Sequence, residues 1–95
     1  MIRMTVLYPA SEGATFDHDY YRDVHVPLCI ETWGCTAEID RGVDGPYLAA
    51  VHLLFESLEA FETAMAQPGT AAVRADVPNY ATNIVPIRQV SETSR

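Results

Sequence analysis

The chain contains no lysine: its six basic residues are Arg3, Arg22, Arg41, Arg74, Arg88 and Arg95, set against thirteen acidic ones for a net charge of −7. Without a lysine there is no side-chain amine to form a Schiff base and none to complete a P-loop. The acidic balance argues against a binder of nucleic-acid backbone, which relies on clustered cations. Cysteine is scarce. Cys29 and Cys35 form no CxxC and read as reduced structural thiols of a cytoplasmic protein. The glycines build no GxGxxG, GxSxG or GxxxxGK[ST], so nicotinamide-dependent reduction fits poorly. No apolar run approaches the ~20 residues of a membrane helix, and no signal peptide is expected.

Ninety-five residues with 48% apolar side chains make one domain, residues 1–95, rather than a disordered chain. MIRMTVLY (1–8) is rich in β-branched and aromatic residues and reads as a strand, stopped by PASEG. Asp17 can cap the helix that follows, with Asp19 in its first turn. At 100° per residue, Tyr20, Tyr21, Val24, Leu28 and Thr32 share one face of that helix. Val26, Ile30 and Trp33 form a second stripe, and Gly34 ends the element. A polar strand over 36–43 is followed by a turn at VDGP.

YLAAVHLLFE (47–56) carries no charge before Glu56, so both faces of this strand are expected to be covered. Ser57 caps a second helix with Leu58, Phe61, Ala64 and Met65 as its inner stripe, ended by Pro68-Gly69. A short helical turn (70–76) and VPNYA (77–81) lead into a last strand, TNIVPIRQV (82–90). Pro86 within it confines that strand to a sheet edge. Residues 91–95 read as a loose tail.

The order β-α-β-β-α-β predicts an α+β, ferredoxin-like fold with a four-stranded antiparallel sheet of order 4-1-3-2. Helices cover only one face of such a sheet. The apolar residues on the other face predict a partner sheet, and hence a homodimer.

TVLYP in the first strand, FDHDYYRDVHVPL in the first helix, EIDRG, the apolar strand holding His52 and DVPNYA together resemble the EthD family, of the dimeric α+β barrel superfamily. The most specific piece is F-D-x-D-Y-Y-x-x-x-H-x-P-L, met by Phe16, Asp17, Asp19, Tyr20, Tyr21, His25, Pro27 and Leu28. The resemblance implies a homodimer with face-to-face sheets and a pocket in each subunit between sheet and helices. EthD proteins are often described as oxidoreductases. More distant relatives include cofactor-free monooxygenases, an isomerase, and polyketide cyclases and dehydratases.

Two histidines are the candidate catalytic residues, His25 and His52, since an imidazole titrates near neutrality. The alternative for each is a histidine whose nitrogens are simply satisfied within the fold. Pro27, two residues after His25, removes a helical hydrogen bond, and such a bend makes sense if it opens space beside His25. Alternation along 47–55 offers two faces, and the expectation places Leu48, Ala50 and His52 toward the helices, with Tyr47, Val51 and Phe55 toward the partner. The expected pocket is lined by Tyr21, Leu28, Ala50 and Tyr80 around the two histidines. Asn79 is expected to serve the turn, and His18 to face solvent. His18, His25 and His52 lack the short paired spacing of zinc ligands, so no metal is expected, nor a flavin or haem.

The leading reading is thus a cofactor-free acid/base enzyme acting on a small apolar, aromatic or carbonyl-bearing metabolite. The alternatives are a non-catalytic binding or accessory protein for such a metabolite, and a purely structural dimer.

Overall fold

The computed structural model describes residues 1–94. Strand β1 (Ile2–Pro9) lies at the centre of the sheet, antiparallel to β3 (Tyr47–Phe55) on one side and β4 (Ile87–Glu92) on the other. Strand β2 (Thr36–Arg41) pairs outside β3. The resulting order, β2-β3-β1-β4, is the ferredoxin-like arrangement that the order of elements predicts. Helices α1 (17–34 with its caps), α2 (Leu58–Met65) and α3 (Thr70–Ala75) cover one face of this sheet. None of the described helices is long and apolar enough to cross a membrane.

Helix α1 runs through His18–Tyr20, widens into a π-helical turn at Tyr21–His25, and continues as Val26–Trp33. The Asp17 carboxylate accepts from the Tyr20 backbone N–H at 3.0 Å, as its capping role requires. In the wide turn the Val26 N–H reaches the Tyr21 carbonyl, five residues back. Pro27 follows in the first turn of the resumed α-helix, where a missing N–H costs least.

This turn changes which residues face inward. Tyr21, His25, Val26 and Cys29 are buried, whereas Val24 is 45% exposed and Ile30 39%. The stripes expected at a uniform 100° per residue are therefore corrected, because the extra residue in one turn rotates everything after it.

Gly34 closes α1 in the left-handed conformation, φ 66°, its N–H bonded to the Ile30 carbonyl. A Cβ there would meet no atom within 4 Å, so only backbone strain opposes one. Gly34→Ala should cost about 1–2 kcal/mol of stability in urea unfolding; an unchanged midpoint would show that the cap relaxes freely.

The last strand also departs from expectation. Instead of spanning 82–90, the segment divides. Ala81–Thr82 pairs with Thr15–Phe16 in a two-stranded ribbon, the chain turns at Asn83 (φ 56°), and β4 begins only after Pro86. Pro86 has no N–H for a ladder, and asparagine tolerates the left-handed turn that separates the two pieces. The expected loose tail is corrected with it. Ser91 and Glu92 belong to β4, pairing with Arg3 and Ile2, and Arg95 lies outside the described residues.

The core lies between sheet and helices. Ala49, Val51, Leu53 and Phe55 of β3 point into it with Met4 and Tyr8 of β1, and Phe55 meets Phe61 of α2 edge to face at 5.2 Å. The expected phase of β3 is thus inverted: Val51 and Phe55 face the helices, and Ala50, His52 and Leu54 face away. The physical reason is composition. The odd-numbered set is wholly apolar, while the even-numbered set carries an imidazole that finds polar partners on the outer face.

Candidate active site

A cavity of about 180 Å³ opens between the sheet and the inner side of α1. Val6 and Tyr8 from β1, Val51 and Leu53 from β3, and Tyr21 and His25 from α1 form its inner walls. Placing His25 here follows from the wide turn in α1. The ring of Tyr21, one turn earlier, stacks on the imidazole with 18° between planes and 5.4 Å between centroids. Phe16, Tyr8 and Tyr80 pack edge-on or tilted around Tyr21, so the imidazole sits in an aromatic enclosure.

His25 is only 4% exposed, yet both its ring nitrogens have partners. Nδ1 lies 2.9 Å from an oxygen of Asp76. The other oxygen of Asp76 accepts from the Tyr20 hydroxyl at 2.6 Å and from the Asn79 amide at 2.9 Å. Asn79 thus holds the carboxylate of the turn it belongs to. Burial by itself would raise the Asp76 pKa, but these hydrogen bonds from Tyr20, Asn79 and His25 outweigh it and hold the carboxyl below its ordinary range.

An ionised carboxylate only accepts, so the His25 proton must reside on Nδ1. Nε2 is then an acceptor, and the Tyr80 hydroxyl, 3.3 Å away, is its donor. The proton of Tyr80 being committed, the Tyr8 hydroxyl donates to the Tyr80 oxygen at 2.8 Å. The four residues form one directed chain, from Tyr8 through Tyr80 and His25 to Asp76.

Burial lowers the His25 pKa, and the bond to Asp76 only partly offsets this, so the imidazole is neutral near pH 7. Burial raises the pKa of the Tyr8, Tyr21 and Tyr80 phenols, so all three stay protonated. Cys29, also in the cavity wall, is raised by burial to about 12 and presents a thiol rather than a nucleophilic thiolate. Among the described residues no three His, Cys, Asp or Glu side chains converge as a metal site.

The depressed His25 pKa has a consequence for stability. The unfolded chain takes up a proton at this position more readily than the folded one. The stabilisation is therefore complete above the unfolded value of about 6.5 and is lost as pH falls through the lower folded value. Urea unfolding between pH 7 and pH 5 should show stability falling, with a shallower slope in His25→Gln. Parallel slopes would mean that His25 carries none of this linkage.

The structure brings Tyr21, His25 and Tyr80 together at the cavity, as placed from the sequence. Leu28 is half-buried, packed against the core without lining the cavity. His52 and Ala50 are corrected outright. His52 lies on the outer face of the sheet, its Nδ1 3.1 Å from the Thr5 hydroxyl and its Nε2 2.9 Å from a carboxylate oxygen of Asp40. His18 packs its ring on Phe16 at 4.8 Å instead of standing free in solvent. Sequence reasoning missed Tyr8 and Asp76 as members of the site. Asp76 is 51 residues from His25, and its only local mark is its place before V-P-N-Y.

A model of the EthD domain matches residues 12–83, most of the chain and the whole of α1 through Tyr80. The chain belongs to the EthD family. An EthD-like protein from Ralstonia eutropha JMP134 has a similar structure with a TM-score of 0.86 and 36% identity, over 96% of this chain and 89% of that one. An EthD family protein from Bacillus halodurans C-125 follows at 0.77 and 19%, over 99% of both chains. SnoaB, a cofactor-independent oxygenase from Streptomyces nogalater, shares the fold at 0.65 and 14% identity, over 99% of this chain and 94% of that one. None of the curated proteins matches this EthD chain significantly.

Proposed function

We propose that this EthD protein is a cofactor-free small-molecule enzyme in which His25 moves a proton to or from an apolar, aromatic or carbonyl-bearing metabolite. The observation that supports this is the polarity of the hydrogen-bond chain. Asp76 fixes the His25 tautomer that presents a basic Nε2 beside an apolar cavity, and would stabilise the imidazolium formed there.

The 3.3 Å contact between Nε2 and Tyr80 is long for a hydrogen bond and readily yields to a substrate proton. In the proposed step Nε2 takes a proton from a phenol or from a carbon beside a carbonyl. The electron pair left behind moves onto the substrate oxygen. The released Tyr80 hydroxyl donates to that oxygen, and Tyr8 supports Tyr80 from behind. Isomerisation and dehydration both begin this way. So does addition of oxygen to an electron-rich ring, the kind of activity suggested by the shared fold with a cofactor-independent oxygenase.

The reading includes a homodimer formed through the outer face of the sheet. Leu48 and Leu54 of β3 and Leu7 of β1 are half-buried there, and Ile87 of β4 is 47% exposed, on the face opposite the described helices.

Proton exchange offers a direct test that needs no knowledge of the natural substrate. In D₂O, the protein should accelerate deuterium uptake at the acidic carbon of 2-tetralone, and His25→Gln should not. Native mass spectrometry of the purified protein would identify any co-purified ligand. Thermal stabilisation by that ligand, without exchange or turnover, would favour the alternative of a non-catalytic binding or accessory protein.

A further inference from the structure

The charged residues around the cavity are all of one sign. In a chain with thirteen acidic residues and six basic ones, the wall contains Arg74, Arg88 and the titratable His25, but no Asp or Glu among the described residues. Asp76 stands behind His25, its oxygens taken by Tyr20, Asn79 and His25. Neither Arg74 nor Arg88 forms an ion pair or side-chain hydrogen bond among the described residues. By contrast, Arg22 on the outside of α1 engages both Asp19 and Asp23.

The positions of these two arginines are fixed by the elements that carry them. Arg74 follows the buried Val73 on α3 and precedes Asp76 by two residues. Arg88 lies on β4 opposite Val6 of β1, and Val6 itself lines the cavity. Both arginines are exposed, whereas His25 and Tyr80 are buried, so the cations stand at the mouth and the imidazole at the inner end. A volume of about 180 Å³ is somewhat larger than the ~150 Å³ apolar cavity that accommodates benzene, and so suits a substituted ring.

We infer that Arg74 and Arg88 form an anion clamp at the mouth, and that the ligand is a ring-sized apolar molecule carrying a carboxylate. The inference rests on the proposed His25 cavity as the ligand site. It adds a specificity element: the guanidinium forks hold the carboxylate, the apolar walls take the ring, and the far edge of the ring is delivered to Nε2. A neutral molecule of the same shape fills the walls but leaves both arginines without a partner.

The test compares 4-ethylbenzoate with its neutral counterpart 4-ethylbenzamide. Trp33, the single tryptophan, lines the cavity and donates its indole N–H to Thr70 at 2.9 Å, so its ¹H–¹⁵N signal reports occupancy. The benzoate should bind at least about tenfold more tightly than the amide. That advantage should shrink with added salt and vanish in the double variant R74Q/R88Q, where the two probes should bind alike. Equal affinities for the two probes would overturn the clamp and leave the cavity reading standing. A carboxylate preference that survives in R74Q/R88Q would overturn the assignment to these arginines. No shift of the Trp33 signal with either probe at millimolar concentration would sink the cavity reading, and the clamp with it.

Discussion

Replacing His25 by Gln is expected to lower turnover by about 10²- to 10⁴-fold, the usual contribution of a positioned acid or base, while the protein remains folded. Glutamine can keep one of the two hydrogen bonds, to Asp76 or to Tyr80, but it cannot accept and release a proton near neutral pH. Deuterium exchange into 2-tetralone measures the loss, and far-ultraviolet circular dichroism checks the fold. Undiminished exchange with altered stability would make His25 a structural residue only.

A companion variant separates the base from the group that positions it. Asp76 raises the His25 pKa against the larger opposing effect of burial. In Asp76→Asn that support is weakened, so the His25 pKa should fall further. If neutral His25 is the working form, the acid limb of the rate profile reports its pKa, and in Asp76→Asn this limb should move to lower pH. A carboxylate that merely braced the fold would change stability without displacing the limb.

Much of the fold was legible because local signals agreed with one another. Asp17 and Ser57 as caps, Gly34 as a helix end and the charge-free run of 47–55 each point to the same ferredoxin-like topology. Two features were not legible, for different reasons. The π-helical turn at Tyr21–His25 has no signature in a period of 3.6, so a uniform period misplaces the inward stripe of α1 and does not reveal the full burial of His25. The phase of β3 was ambiguous because alternation defines two faces without saying which is covered. Of the two faces, the one that holds His52 is the outer one, where Thr5 and Asp40 take up its ring nitrogens.

The site itself was half legible. Tyr21 and His25 share a helix, and their neighbourhood can be read from spacing alone. Asp76 and Tyr80 come from the far end of the chain, and Tyr8 from the first strand. Only the folded chain brings the Tyr80 hydroxyl and that carboxylate to the imidazole, and the Tyr8 hydroxyl to Tyr80. Asp76 in particular follows a short helix as one more acidic residue in an acidic chain, and its role depends on partners that sequence cannot place.

The corrected phase of β3 makes a sharp prediction about assembly. Leu54→Lys should convert a dimer of twice the 10.5 kDa chain mass into a monomer by light scattering after gel filtration, whereas Val51→Lys should unfold the protomer. Leu54 lies on the outer face, opposite Arg3 on β1 and Thr36 on β2, so a lysine there has no carboxylate directly across either ladder. Burying such an unpaired charge against a second sheet costs several kcal/mol, enough to separate the subunits. Val51 is 3% exposed within the protomer's own core, so a charge there acts on folding rather than on association. His52 need not oppose the interface as an isolated charge would, because Thr5 and Asp40 already satisfy both its ring nitrogens. A wild-type monomer at micromolar concentration, or a Leu54→Lys protein that stays dimeric, would refute sheet-to-sheet association. A folded Val51→Lys dimer would in turn refute the orientation of the strand.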